Sequence, residues 1–488
     1  MLTSTSIPKA YEKSFDSWVE QKKDAVRLIS ALGKLLYDKG VELVLFRNPL
    51  IDVSPTEILH LHDYAEKFVK LPIQVKDTAN LAEGLLKLKL IPSKIDIGKL
   101  AAEWTADRQH LFSRKEFLKD KLEAFINYDD KPITQPTDVV LFGFGRIGRL
   151  CAREIIKGTG KGQQLRLRAI VTRDTEPEQL QKRVDLLRMD SIHGEFSGVV
   201  ELKLEDRTMI INGQIVHLIQ GSDPAKLDYT QYGIKEALVI DNTGAFRTRK
   251  TLEQHLNSKG IDNVLLTAPG EDIPNIILGV NHKALTPEDE KIWATGSCTD
   301  NAIIPIIKVL EDTFGLEKGH IQSVHAYTND QNLLDNMHSK NRRGRSAALN
   351  LVVTETDAAI AVEKVIPSLK DKFTANAVRV PTPNGSLAII AADLKTEVTK
   401  ELLDSAIKQA ALNGDLVEQI KYSLESELVS NDIQGNFCCS VYDSHSTIVA
   451  PNRKSVVLYI WYDNESGFTQ QVLHLAMYIA KVERPVYF

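Results

Sequence analysis

Gly143, Gly145 and Gly148 stand at G-x-G-x-x-G spacing in VVLFGFGRIGRLCAREI, and this string constrains the fold more than any other. An apolar run suited to a buried strand leads into the glycines, and a helical apolar pattern follows them. In that context glycine permits a tight turn and close backbone approach, while unpaired N–H groups at the helix start face a pyrophosphate. A Gly-rich turn without a ligand is the competing reading. The next strand-like run, LRAIVTRD, ends at Asp174, whose carboxylate would accept hydrogen bonds from the adenosine ribose and repel a 2′-phosphate. NAD is therefore the expected cofactor. Arg173 and Thr175 flank the aspartate and keep NADP open.

The alternation of apolar runs and helical stretches continues through EALVIDNTG and NVLLTAPG, as in a parallel sheet of an α/β domain. After about residue 320 longer β-rich runs follow (SVHAYT, AVRVPTP, SLAIIAADL, SVVLYIWYD), which suggest a second domain with a larger, partly antiparallel sheet. Residues 1 to about 134 differ. Phe15, Trp18, Ala25, Leu28, Leu32 and Leu35 recur at helical spacing, and further helical stretches cover roughly 55–70 and 101–127. This N-terminal extension reads as a helical layer or as an interaction module. Two prolines in KPITQPTDVV mark a domain boundary.

A chain of 488 residues is too long for one core, and a net charge of −5 argues against a general nucleic-acid surface. The N-terminus lacks the apolar stretch of a secretory signal, and no apolar run is long enough to span a bilayer. Four cysteines are too few for a disulfide framework, so a reducing, cytoplasmic location is expected. No metal site is apparent.

Cys298 lies in ATGSCTDNAIIPIIKVLEDTFG, where a short polar turn runs into a helical pattern. That places the thiol at a helix N-terminus, whose positive dipole end favours a thiolate. His325, in SVHAYTNDQ, is the candidate partner and base; a packed histidine is the plainer alternative. Cys151, Cys438 and Cys439 read as packed small side chains.

From about Asp138 onward the chain resembles the phosphorylating glyceraldehyde-3-phosphate dehydrogenases, in collinear motifs. These are GFGRIGR (143–149), DSIHGEF (190–196), NTGAF (242–246), GVNH (279–282), SCTDN (297–301), HAYTNDQ (325–331), RRGRSAAL (342–349), RVPTPN (379–384) and WYDNESG (461–467). The resemblance implies a fold and a division of the chain. A helical extension (1–135) would precede a Rossmann NAD(P)-binding domain (136–298) and an α+β catalytic domain with a large mixed sheet (299–462). A final segment (463–488) would return to the cofactor domain.

It also implies that Cys298 attacks the aldehyde, that His325 is the base and that hydride leaves for the nicotinamide. The cofactor would be held by Gly143, Gly145, Arg146, Ile147, Gly148, Asp174, Thr243, Gly244 and Asn464. Thr328 and Arg379 would bind the substrate phosphate of glyceraldehyde 3-phosphate. Ser297, Thr299, Thr356 and Arg342 would serve inorganic phosphate. A homotetramer, an S-shaped loop over roughly 325–350 and a place in central carbon metabolism follow from the same likeness.

Departures from the family pattern fall where a threonine, a Ser-Thr-Gly, a lysine and a tryptophan are usual. Here they are Asp300, Glu355-Thr356-Asp357, Ser339 and Ser466. Three added carboxylates near an anion pocket oppose phosphate binding unless they turn away or pair with cations. Hydrolysis of the thioester, as in erythrose-4-phosphate dehydrogenases, and a weakly active regulatory paralogue are the alternative readings.

Overall fold

The computed structural model describes residues 6–107, 113–126 and 135–488. Part of the expected 101–127 helix and the first four residues of the boundary string, 131–134, therefore lie outside the described residues. The chain divides into two compact units. One comprises residues 1–135, 157–163 and 483–488, and the other residues 136–156 and 164–482.

The larger unit contains two eight-stranded sheets. In the first, six parallel strands run in the order 292–294, 261–266, 237–241, 137–142, 165–172 and 214–220, followed by antiparallel strands 208–211 and 200–203. Val139, Val140 and Leu141 have no exposed surface, as strands covered on both faces require. Strand 137–142 sits where the connections diverge to either side. A ligand crevice is expected at its carboxyl end, and that end carries Gly143. The helix Ser466–Ile479 enters the core of this sheet through Phe468, Val472, Leu475 and Ala476.

The second sheet is mixed. Its main path runs 352–354, 373–380, 316–326, 386–394, 455–462, 440–443 and 420–423. Strand 386–394 alternates buried and half-buried residues without a break, the period-two pattern of a sheet with one face on a core.

The smaller unit contains the helices expected of the extension and, in addition, a small sheet. Among the described residues it has four helices of eleven or more residues, at 6–39, 55–69, 75–85 and 97–107. They accompany a four-stranded sheet, in the order 48–49, 41–45, 93–96, 486–487. Strands this short carry too little periodicity to be recognised in sequence. The last strand comes from the end of the chain: Val486 and Tyr487 pair in parallel with Lys94 and Ile95. Residues 463–488 thus split between the units, instead of returning wholly to the cofactor domain.

The first helix buries Ala25, Leu28, Leu32 and Leu35, but Phe15 and Trp18 remain about half exposed, stacked in a row with Tyr11. The periodic face is real only over its second half. Among the described residues no helix is long and apolar enough to cross a membrane.

Candidate active site

Cys298 opens the helix Cys298–Phe314. Ser297 is its N-cap, and Ser297 and Asp300 form a capping box. The Asp300 N–H donates to Ser297 Oγ (3.1 Å), and the Ser297 N–H donates to Asp300 Oδ2 (2.8 Å). One of the three unusual carboxylates therefore closes the turn that presents the thiol. Burial raises the Asp300 carboxyl to about 6 against the two Ser297 hydrogen bonds.

His325 ends the strand Leu316–Ala326, whose parallel neighbour places Arg379 opposite it. Cys298 Sγ lies 3.4 Å from His325 Nε2. Arg379 Nη1 lies 2.6 Å from His325 Nδ1 and donates to the Ala326 carbonyl at 2.8 Å. Tyr462 sets its ring edge against the imidazole, with centroids 5.8 Å apart, and its hydroxyl bridges Thr299 (3.1 Å) and Ser323 (3.2 Å).

Burial pushes the Cys298 thiol up to about 11, with Arg379 acting in the opposite sense. Burial also takes His325 down to about 3, and here Arg379 adds to the effect. The helix N-terminus, worth about 0.3–2 kcal/mol, opposes only part of this. A thiolate 3.4 Å from an imidazolium would recover about 5 kcal/mol at an effective dielectric of ~20. Burial thus favours the neutral pair, while the helix N-terminus and the thiolate–imidazolium attraction favour the charged one. An anion paired with Arg379 would relieve the charge that depresses the imidazole.

Ser297, Cys298, Thr299, His325, Thr356 and Arg379 line one cavity of about 560 Å³. Asp300, Glu355, Asp357, Arg247 and Lys364 contribute mixed charge to the same walls. Glu355 and Asp357 are exposed, where water screens them. Two expected residues are absent from this lining: half-buried Thr328, and Arg342, which is exposed with φ of +67°. Its neighbour Arg343 is the buried one. Arg343 ion-pairs with Asp330, donates to Thr354 Oγ1 at 3.1 Å, and exerts its charge on His325 and Arg379. Two adjacent arginines in a loop cannot be told apart by spacing; only the loop conformation chooses between them.

A second cleft, about 470 Å³, lies at the glycine loop and is lined by Gly143, Gly145, Asn242 and Thr243. A Cβ at Gly148 would meet the Gly143 carbonyl at 2.6 Å, and one at Gly143 would meet Thr243 Cγ2 at 2.9 Å, whereas Gly145 faces open space. These are the packing and approach requirements of a pyrophosphate loop, and the cleft fits a dinucleotide. Thr243 is oriented by Asp241 Oδ1, which accepts both its N–H (2.8 Å) and its hydroxyl (2.7 Å). Gly244 follows with φ of +65°. Ile147 packs beside the sheet core.

Arg146 is placed otherwise than expected, for its guanidinium is held by Glu465 and Asp190. His193 Nε2 lies 3.1 Å from Glu465 Oε2, so three of the sequence motifs meet in one charged network. Burial works against ionisation of Asp190, but the His193 and Ile192 N–H groups and Arg146 bring its carboxyl down to about 2. Asn464, next to Glu465, is buried, and its Oδ1 accepts the Ser386 hydroxyl at 2.8 Å; Ser386 Oγ in turn accepts the Ala326 N–H at 3.1 Å. The amide is thus oriented from the residue adjoining His325, and its Nδ2 remains as a donor. Ser386, Tyr462 and Glu465 were not singled out in the sequence; Tyr462 and Glu465 lie on either side of Asn464 inside a recognised motif.

Comparison with known proteins gives two family matches along the chain. The signature of the family described as "Glyceraldehyde 3-phosphate dehydrogenase, NAD binding domain" matches residues 137–249, and its "C-terminal domain" counterpart matches residues 297–464. A glyceraldehyde-3-phosphate dehydrogenase-like protein of Pseudomonas aeruginosa is 42% identical over 463 residues, 94% of this chain and all of the relative. Glyceraldehyde-3-phosphate dehydrogenase 1 of Bacillus subtilis is 39% identical over 342 residues, 70% of this chain and 97% of the relative. The Clostridium pasteurianum glyceraldehyde-3-phosphate dehydrogenase is 38% identical over 354 residues, 71% of this chain and all of that protein.

Proposed function

The chain belongs to the glyceraldehyde-3-phosphate dehydrogenase family, with NAD as cofactor, and from this premise we propose that it oxidises glyceraldehyde 3-phosphate to an acyl phosphate. The observation that carries the reading is Cys298 Sγ at 3.4 Å from His325 Nε2 inside a cavity that also presents Arg379.

In this reading the substrate phosphate pairs with Arg379, and His325 takes the thiol proton as the sulfur attacks the aldehyde carbon. It passes that proton to the carbonyl oxygen, which becomes the hydroxyl of a thiohemiacetal and leaves the imidazole neutral. His325 then withdraws the hydroxyl proton of the thiohemiacetal as hydride leaves its carbon, and a thioester remains on Cys298. Bound NAD supplies the hydride acceptor. Asn464 would hold the carboxamide of the nicotinamide, and Gly143, Gly145 and Gly148 with Thr243 and Gly244 would cradle the diphosphate and adjoining groups. Inorganic phosphate, received by Ser297, Thr299 and Thr356, attacks the thioester carbonyl, and the Cys298 sulfur leaves with a proton. Residues 136–298 and 299–462 are assigned as cofactor and catalytic domains. Exposed Leu333, Leu334, Met337, Leu349 and Leu351 support assembly into a homotetramer. A cytoplasmic site of action completes the reading.

Glu355 and Asp357 on the cavity wall favour one rival, release of the thioester by water. The test is NADH formation from glyceraldehyde 3-phosphate, with and without inorganic phosphate, with Cys298→Ser as control. A Cys298-dependent rate that rises with phosphate is expected. A Cys298-dependent rate indifferent to phosphate would select hydrolysis, and no turnover under either condition would overturn both.

A further inference from the structure

The adenosine end of the dinucleotide cleft is built differently from one that selects against a 2′-phosphate. In a Rossmann fold the residue at the carboxyl end of the second strand reads the ribose 2′-position: a carboxylate there accepts its hydroxyl, and an arginine accommodates a phosphate. Here the strand Leu165–Thr172 delivers Thr172 and Arg173 to the cleft, and Asp174 is absent from the lining. One oxygen of the Asp174 carboxylate is engaged by its own backbone: Oδ1 accepts the Glu176 N–H at 2.9 Å. Thr175 is also engaged elsewhere: its hydroxyl, 3.3 Å from Gln220 Oε1, donates there.

A second arginine joins the same wall. Arg183, from the helix Pro177–Arg188, lines the cleft with Arg173, and its buried Nε has no hydrogen-bond partner. The loop after strand 214–220 adds Gly221 and exposed Ser222, both small residues, to the same lining. Burial makes the Arg183 guanidinium costly to keep charged, and the nearby Asp174 charge eases that cost. A phosphate bearing nearly two negative charges would compete with a single carboxylate already committed to a backbone N–H.

We propose that the cleft of this chain also accepts a 2′-phosphorylated dinucleotide, NADP beside NAD, with Arg183 and Arg173 holding the 2′-phosphate. Ser222 adds a hydroxyl donor from the loop after strand 214–220. The inference rests on the cofactor cleft alone and is independent of how the thioester is released.

The test is calorimetric titration of the full-length protein, in a chloride buffer free of phosphate, with adenosine 2′,5′-bisphosphate and with 5′-AMP. The wild-type protein is expected to bind the bisphosphate about tenfold more tightly than 5′-AMP. In Arg183→Gln the ratio of the two affinities is expected to fall to within about twofold of unity, a readout taken within one protein and so independent of any general loss of fold. Equal binding of the two probes by the wild type, or a preference for 5′-AMP, would overturn the proposal. A ratio unchanged in Arg183→Gln would overturn the assignment to that residue. Failure to bind either probe would refute the cleft itself as the adenosine site, an outcome distinct from failure of the aldehyde chemistry.

Discussion

At the residue scale, each reactive group of the site is set by a neighbour the chemistry does not consume. His325 is fixed between Cys298 Sγ and Arg379, and the same arginine charge that depresses the imidazole is the one an anionic substrate would occupy. His325→Gln is therefore expected to lower the steady-state rate by about 10²–10⁴-fold, the usual contribution of a positioned base. Alkylation of Cys298 with iodoacetamide would still show the thiol in place, and a loss below about tenfold would remove His325 from the role. The two adjacent arginines give a sharper comparison. Arg343→Gln, which removes a buried charge beside Arg379, is expected to raise the KM for the aldehyde by about tenfold or more. Arg342→Gln acts on an exposed side chain and is expected to cost no more than about threefold. Equal effects would contradict the placement of the loop. Cys298, His325 and the glycines were legible because motif spacing records them directly. The choice between Arg342 and Arg343 was not, because it depends on a backbone at φ +67° that the letters do not display.

At the scale of elements, the Arg146–Glu465–Asp190–His193 network joins the helix of the glycine loop, the DSIHGEF turn and the segment that carries Asn464. The three motifs were each readable, but their pairing spans 319 residues for Arg146 and Glu465, a contact no local periodicity encodes. Asp300 shows the same limit: as a residue type it opposes anion binding, yet its bond to the Ser297 N–H makes it the third helical residue of a capping box. Glu465→Gln would leave Arg146 and His193 with one carboxylate fewer and loosen the turn beside Asn464. The expected result is a rise of about tenfold in the dissociation constant for NAD, measured by fluorescence titration, with a smaller change in the KM for the aldehyde. Equal changes in both would place the network in general stability instead of cofactor positioning.

At the scale of the whole molecule, the family accounts for the larger unit, while the smaller one is an α/β module completed by the chain's last strand. The Pseudomonas relative is matched over 94% of this chain, which takes in most of that module, so the extension is a shared feature. Its stability carries an internal pH sensor. His62, 4% exposed, has Nδ1 donating to the Ile58 carbonyl at 2.6 Å and Nε2 at 2.8 Å from the Thr78 hydroxyl, and it ties the helix Pro55–Val69 to the helix Val75–Leu85. Burial lowers this imidazole from its ordinary 6.5 to about 4. The unfolded chain therefore binds a proton that the folded module refuses between those values. The stability associated with neutral His62 is full above pH 6.5 and is lost as the pH falls toward 4, by up to about 3 kcal/mol. Hydrogen exchange in peptides covering residues 58–79 is expected to accelerate over that window, after correction for the intrinsic pH dependence of exchange. In His62→Gln the acceleration is expected to disappear, because glutamine keeps a hydrogen-bonding side chain but cannot titrate. The pH slope, not the absolute protection, is the decisive quantity, since loss of the imidazole contacts lowers protection equally at every pH. An identical slope in the two proteins would transfer the acid sensitivity to other groups.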